Sequence, residues 1–387
     1  MKKIVIISPA HPLRGGIAAS SEQLAQELMQ EGHEVRIVSF SMQYPEFLFP
    51  GKTQFTTDPP PPGLHIRPLI HSVNPLNWLR VGNMLARERP DIVLVRYWLP
   101  FMAPCKGSIL RLIRRNGHTK IVALVDNLVP HEHRPGDRLL TRWFTRSADA
   151  FIAMSRSVES QLHDFEPDKP TAYIPHPLYD NYGTQASRQE SIARLGLPPA
   201  KGYLLFFGFI RDYKGLDLLL RAAALPVLAH LDLHLIVAGE FYGNEDKYRA
   251  LIAELGLENR LTLHSDYIPA ADVRYYFGAA DLVVQPYRTA TQSGISQLAY
   301  HFEKPMVVTH VGGLPEIVEH GVSGYVVPVN ENAIAEAIAD YFNHHRAATM
   351  LQAVREAKKR FSWSAMSAAL LHLYEQLKQH GKKNNQQ

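Results

Sequence analysis

A chain of 387 residues, 46% of them hydrophobic, can fill two ordinary cores and is too long for one. Its net charge of only +4 excludes a polyanion binder of the histone type, and its single cysteine, Cys105, excludes an internal disulfide and a multi-cysteine metal site, as suits a reducing cytoplasm. No stretch approaches the ~18 to 20 apolar residues that span a bilayer, so any membrane attachment is expected to be peripheral.

The opening MKKIVIISPAHP carries two lysines before an apolar run. That run covers only about five residues and ends at proline, which predicts a first strand, Lys3 to Ser8, rather than a signal peptide. A helix is predicted over Ser20 to Gln30, where Leu24 and Leu28 recur at i, i+4, with Gly32 as its stop and a second strand at Val35–Phe40. This βαβ unit makes the first half a doubly wound α/β domain. The segment DPPPPG at 58 to 63 reads as a rigid surface excursion. Strands recur at Ile92–Val95, Ile121–Val125 and Ala150–Ala153, and Ala172–Pro175 leads into a polar segment near Tyr182–Arg188 where hydrophobic periodicity lapses.

A linker is therefore predicted at about residue 180, dividing a first domain, 1–180, from a second, 181–363. Strands of the second are expected at Tyr203–Phe207, Leu233–Ala238, Leu261–Leu263, Leu282–Val284 and Met306–Val308. An amphipathic helix, Ser364–Lys378, follows and is expected to pack toward the first domain, with a disordered tail at 381–387. Two Rossmann-like halves on one linker predict a cleft lined by C-terminal strand ends, a setting for a phosphorylated ligand.

The loops after the strands carry the candidate chemistry. Gly15 and Gly16 stand where strand turns into helix, either as a tight turn needing φ > 0 or as exposed N–H groups for a phosphate or sugar hydroxyl. The fingerprint GxGxxG is absent and no acidic residue ends the second strand, which argues against a nicotinamide cofactor. Arg211 and Lys214 follow the first strand of the second half, flanked by Gly208 and Gly215; they read as a diphosphate site or as a solvated pair. The block TATQSG at 289 to 294 opens a helical stretch, as an anion seat or with Ser293 as a plain N-cap, and Gly312-Gly313 with Glu316 repeats the strand-to-loop glycine pattern.

Asp126 and Asn127 end a buried strand and are candidates for substrate contact or acid–base work. His131 and His133, spaced i, i+2 on a loop, make a weak case for zinc. No Asp-x-Asp occurs. Basic clusters at Arg111, Arg114 and Arg115 and at Lys358, Lys359 and Arg360 read either as solvated helix faces or as contacts to an anionic membrane or acidic sugar.

Over nearly its whole length the chain resembles the GT-B glycosyltransferases of family 4, the group 1 transferases of bacterial polysaccharide and lipopolysaccharide assembly. The resemblance rests on PLRGG at 12 to 16, FGFIRDYKGLD at 207 to 217, AGE at 238 to 240, VGGLPEIV with GVSGYVV, and FSW at 361 to 363. It implies two Rossmann-like domains facing across a cleft, a C-terminal helix crossing back to the first, and retaining transfer of a sugar from a nucleotide diphosphate sugar to a hydroxyl. It further implies catalytic parts for Asp126, Arg211 and Lys214, and donor contacts from Gly15, Gly16, Asn127, Gly208, Glu240, Tyr267, Ile268, Thr291, Gln292, Ser293, Gly294 and Ile295. No metal and no cofactor are expected, and no nucleic-acid partner. The acceptor is expected to be a glycan or lipid-linked hydroxyl, with the cytoplasmic face of the inner membrane as the place of action; exposed positions at Leu76–Arg80 and Arg111–Arg115 motivate that setting.

The chain departs from the family pattern in three respects. Thr291 and Ala299 stand where two glutamates are usual, Phe209 replaces the arginine after the strand glycine, and Asp126 matches a frequent histidine. Readings other than transfer are therefore a non-catalytic nucleotide-sugar-binding protein, or an epimerase or phosphorylase of the same fold. The nucleotide base, sugar, acceptor linkage and oligomeric state are not legible.

Overall fold

In the computed structural model, which describes residues 1–45, 53–57, 59–128, 135–179 and 182–384, the apolar run KIVII forms β1 (Lys3–Ile7) and its neighbours extend it into a wholly parallel sheet. In chain order come α1 (Gly16–Gln30), β2 (Glu34–Met42), β3 (Ile66–His71), α2 (Pro75–Glu88), β4 (Ile92–Tyr97), α3 (Ala103–Arg114), β5 (Lys120–Val125), α4 (Asp137–Thr145), β6 (Ala150–Ala153), α5 (Arg156–Phe165) and β7 (Thr171–Tyr173). The sheet order is β3-β2-β1-β4-β5-β6-β7. Strands β4 and β6 are buried at every residue because helices cover both faces. One face packs Val81, Leu85, Ile109 and Phe144 from α2, α3 and α4; the other packs Leu24 and Leu28 of α1 beside Met366 and Leu370.

Met366 and Leu370 belong to the last helix, which completes this first unit, Met1–Pro177 with Ser362–Gln387. The second unit, Leu178–Phe361, contains α6 (Arg188–Leu195), β8 (Gly202–Phe207), α7 (Leu216–Ala224), β9 (Leu233–Ala238), α8 (Asp246–Glu254), β10 (Leu261–His264), α9 (Ala270–Ala279), β11 (Leu282–Gln285), α10 (Gly294–His301), β12 (Met306–Thr309), α11 (Leu314–Ile317), β13 (Gly324–Val327), α12 (Glu331–Asn343) and α13 (Ala347–Ala357). Its parallel sheet runs β10-β9-β8-β11-β12-β13. The last helix of the chain is α14 (Trp363–Asn384).

Besides β13, which was not among the five strands expected in the second half, the sequence reading differs from the structure at three places. Helix α1 starts at Gly16, ahead of the expected start at Ser20, since Gly15 at φ 114° serves as its N-cap. Strand β3 was not expected because only Ile70 of its residues is fully buried and it holds Pro68; as an edge strand it tolerates both. Helix α14 runs on to Asn384, into a polar tail expected to be disordered.

Candidate functional site

All pairings in the second unit are parallel, so the C-terminal ends of its strands share one edge. The sheet order reverses at β8, whose neighbours are β9 on one side and β11 on the other. That switch point is where an open α/β sheet leaves a crevice for a ligand. The loops that flank it are 208–215 after β8 and 286–293 after β11.

Loop 208–215 is drawn tight against its neighbour. Gly208 at φ 95° continues the ladder to the Ala238 carbonyl at 2.9 Å, and a short 3-10 turn, Asp212–Lys214, leads to Gly215 at φ 66°. A Cβ on Gly215 would stand 2.0 Å from the Pro286 carbonyl oxygen, so only glycine lets the two loops meet. Lys214 Nζ comes 3.4 Å from where a Cβ of Gly208 would lie, and Ile295 Cδ1 comes 3.0 Å from the same point. Three predicted positions, Gly208, Lys214 and Ile295, thus converge on one spot.

Lys214 has no carboxylate within ion-pair distance among the described residues; its ammonium lies 5.5 Å from the centre of the Tyr287 ring. Burial, with the positive charge of Arg211 added, pushes its pKa down to about 7. Arg211 is exposed and lies 4.9 Å over the Tyr242 ring, which packs at a tilt against Phe209 with centroids 4.5 Å apart. Arg288 grips Asp217 with both Nη atoms, at 2.9 and 2.6 Å, and donates its backbone N–H to the Tyr213 carbonyl at 2.7 Å, tying loop 286–293 to α7.

Ser293 caps α10: its hydroxyl accepts from the Ile295 N–H at 3.2 Å and lies 3.4 Å from the Tyr287 hydroxyl. Thr291, Gln292 and Gly294 around it are half-buried, and the Thr291 carbonyl accepts from Gly313 N–H at 3.1 Å. Glu240 is buried at the end of β9, its carbonyl accepting from Ile210 N–H at 2.9 Å. Tyr267 and Ile268 are half-buried in the loop after β10, at the far side of the same edge. Ala299, one of the two positions where the family has glutamate, is fully buried on the core side of α10.

The first unit gathers its own predicted residues around Arg96. This arginine, 3% exposed, donates from Nε to Asp126 Oδ2 at 2.9 Å and from Nη2 to Asp126 Oδ1 at 2.6 Å. Its Nη1 reaches the Ser20 and Ser21 hydroxyls in the first turns of α1. Lys106, fully buried, donates to the Arg96 carbonyl at 2.6 Å. The carboxylate expected as an acid or base is therefore held on both oxygens by a guanidinium. Asp126 ties β5 to β4 and, through Arg96, to the start of α1.

Asn127 next to it is half-buried, with a buried Oδ1 that has no hydrogen-bond donor among the described residues. Gly15 and Gly16 lie at the head of α1, with Gly16 exposed and, among the described residues, no non-neighbouring atom within 4 Å of a Cβ on Gly15. His131 and His133 lie outside the described residues.

Sequence reasoning missed Arg96, Tyr242 and Tyr287. Arg96 had a visible signal, a lone cation inside the apolar run IVLVRY. The two tyrosines had none, since only the fold sets Tyr242 beside Arg211 and Tyr287 beside Lys214.

Comparison with known proteins places these loops in context. A family model described as Glycosyltransferase Family 4 matches residues 14–179, and one described as Glycosyl transferases group 1 matches 201–344. A D-inositol 3-phosphate glycosyltransferase of Thermobispora bispora is 31% identical over 321 residues, covering 77% of this chain and 68% of the relative. One from Catenulispora acidiphila is 29% identical over 317 residues, covering 77% and 70%. Among solved structures, a sucrose-phosphate synthase of Thermosynechococcus elongatus superposes with a TM-score of 0.74 at 19% identity, covering 97% of this chain and 99% of its own. Anabaena HepE, in complex with UDP and glucose, gives 0.68 at 19% identity, covering 99% and 100%.

Proposed function

The chain belongs to the group 1, family 4 glycosyltransferases of GT-B fold, and from that premise we propose that it transfers a sugar, with retention, from a nucleotide diphosphate sugar to a hydroxyl of a glycan or lipid-linked acceptor in cell-envelope assembly. The observation that carries the donor half of this reading is the convergence of Lys214, Gly208 and Ile295 at the β8/β11 switch point, with Arg211 on the same loop. A departing nucleoside diphosphate gathers negative charge on its phosphate oxygens. Fixed cations and the first N–H groups of α10 stabilise that charge more than they stabilise the ground state.

In the proposed step the bond from the anomeric carbon to the β-phosphate oxygen breaks and one from the acceptor oxygen to the same carbon forms. The acceptor proton passes to the leaving phosphate, so no separate base is needed. Arg211 and Lys214 supply the positive charge for this step, which is the basis for reading it as metal-independent. Ser293 and Thr291 are placed to orient the donor's sugar or phosphate, and Asp126 positions Arg96 and the head of α1.

Screening uridine, guanosine and adenosine diphosphate sugars for thermal stabilisation tests the donor reading, because a ligand that binds only the folded state raises its melting temperature. One series is expected to stabilise the protein, and the Arg211→Ala, Lys214→Ala double variant is expected to lose the response. A flat response to all three would overturn the reading. Donor binding without turnover on any acceptor would favour the non-catalytic alternative. Acceptor choice is tested with lipid-linked oligosaccharides against inositol phosphate, the acceptor class in the relatives' names.

A further inference from the structure

Tyr287, two residues past β11, is only 3% exposed and touches both walls of the crevice at the switch point. Its ring lies 5.5 Å from Lys214 Nζ, and its hydroxyl lies 3.4 Å from Ser293 Oγ, the cap of α10. Its own place is set by neighbours behind it. The Tyr287 carbonyl accepts from the buried Thr309 hydroxyl at the end of β12, at 2.5 Å, and the ring meets Tyr213 edge to face with centroids 6.3 Å apart. A phenol this deeply buried gives up the hydration of its hydroxyl, and phenylalanine would fill the same space without that cost. The hydroxyl is therefore the feature that needs a reason.

The ring has its own reason. A lysine side chain loses rotamer freedom when it is held in one place. A carboxylate would hold Lys214 but cancel the charge that a diphosphate meets, whereas an aromatic face attracts the ammonium and leaves that charge in place. The carboxylates close by are engaged with other groups, Asp212 with Lys247 and Tyr248, and Asp217 with Arg288. Arg211, of like charge, faces the lysine from its own loop.

A serine hydroxyl offers two lone pairs and one proton. The Ile295 N–H fills one lone pair of Ser293 at 3.2 Å. With the Tyr287 O–H donating into the other, the serine proton is left for an oxygen in the crevice. Burial pushes the Tyr287 phenol further up from its ordinary pKa, so this donor keeps its proton at neutral and mildly alkaline pH.

We propose that Tyr287 is a positioning residue for the diphosphate: its ring holds Lys214, its hydroxyl turns the Ser293 proton toward the ligand, and cation and cap thereby act together. This rests on the reading of the crevice as a donor site and adds the residue that joins its two walls.

The test is calorimetry with whichever of uridine, guanosine and adenosine diphosphate glucose stabilises the wild type. Tyr287→Phe keeps the ring and is expected to weaken binding about threefold to tenfold, with the melting temperature of the free protein not lowered. In a Ser293→Ala background the same change is expected to cost nothing, because the hydroxyl acts through the serine. Tyr287→Leu is expected to bind about fivefold more weakly than Tyr287→Phe, and in a Lys214→Ala background the two are expected to bind alike. At pH 8.5 proton uptake on binding is expected to persist in Tyr287→Phe and to fall in Tyr287→Leu, where the ammonium is free to turn to water.

Additive losses from Tyr287→Phe and Ser293→Ala, or undiminished uptake in Tyr287→Leu, would overturn the proposal, since a merely structural tyrosine predicts both. The phenylalanine cycle decides the part of the hydroxyl whether or not Tyr287→Leu folds. A wild type that binds none of the three donors overturns the donor reading and this inference with it. A wild type that binds one of them, with an affinity indifferent to Tyr287, overturns this inference alone.

Discussion

The free protein holds Lys214 at a pKa of about 7, against an ordinary 10.5, and that depression makes donor binding proton-linked. A diphosphate beside the ammonium removes its isolation and returns the pKa toward its ordinary value. Both phosphates of a nucleoside diphosphate sugar are esterified and stay ionised from pH 7 to 9, so the lysine is the titrating partner. If binding restores the full ordinary value, affinity falls about fifty-fold between pH 7 and pH 9 and only about twofold between pH 6 and pH 7.

Calorimetric titration of the donor at pH 8.5, in buffers of different ionisation enthalpy, is expected to count about one proton taken up per donor bound. Lys214→Arg is expected to bind with little pH dependence and no proton uptake, since a guanidinium stays charged throughout. A wild-type affinity that is flat from pH 7 to 9, or uptake unchanged in Lys214→Arg, would refute the reasoning. The same shift has a sign for stability. The unfolded chain protonates this lysine at about 10.5 while the folded one does so near 7. Falling pH therefore costs the folded state stability across that window, and below it the penalty is constant.

Other expectations follow from the geometry. Tyr242→Ala releases Arg211 from its ring and is expected to weaken donor binding about two- to fivefold, whereas Tyr242→Phe leaves it unchanged; calorimetry separates the two. Asp126→Ala strands a buried guanidinium and is expected to lower unfolding free energy by about 3 to 5 kcal/mol in urea titrations. Unaltered stability with lost turnover would instead make Asp126 a direct participant. Gly215→Ala puts a methyl into the Pro286 carbonyl and is expected to abolish donor stabilisation in a thermal-shift assay.

Most strands were legible because parallel strands covered on both faces read as unbroken apolar runs, as in IVALV and YLLFF. The edge strand β3 was not, because one open side removes that signal. The start of α1 was hidden by two glycines that look like a turn until one of them is seen to cap. In the site, Arg211 and Lys214 were visible from their place after a strand.

What the sequence could not convey was which neighbours those residues meet. Lys214 finds an aromatic ring where a surface cation would find water, and Arg211 finds Tyr242, 31 residues away in sequence. Asp126 read as a polar group at a strand end. Its commitment to Arg96 depends on β4 and β5 lying side by side, with Arg96 paired to Leu124 in the ladder. Partners set by strand pairing belong to topology, and composition and spacing do not encode them locally.

The central claim is that loop 208–215 and the head of α10 hold a nucleotide diphosphate sugar and help its sugar depart. Phosphorus NMR of the stabilising donor, incubated with protein and acceptor, tests this most directly. The account predicts that the two resonances of the esterified diphosphate give way to those of the free nucleoside diphosphate, and that Arg211→Ala with Lys214→Ala stops the conversion. A donor that stays intact with every acceptor, or is consumed equally by the double variant, would contradict it.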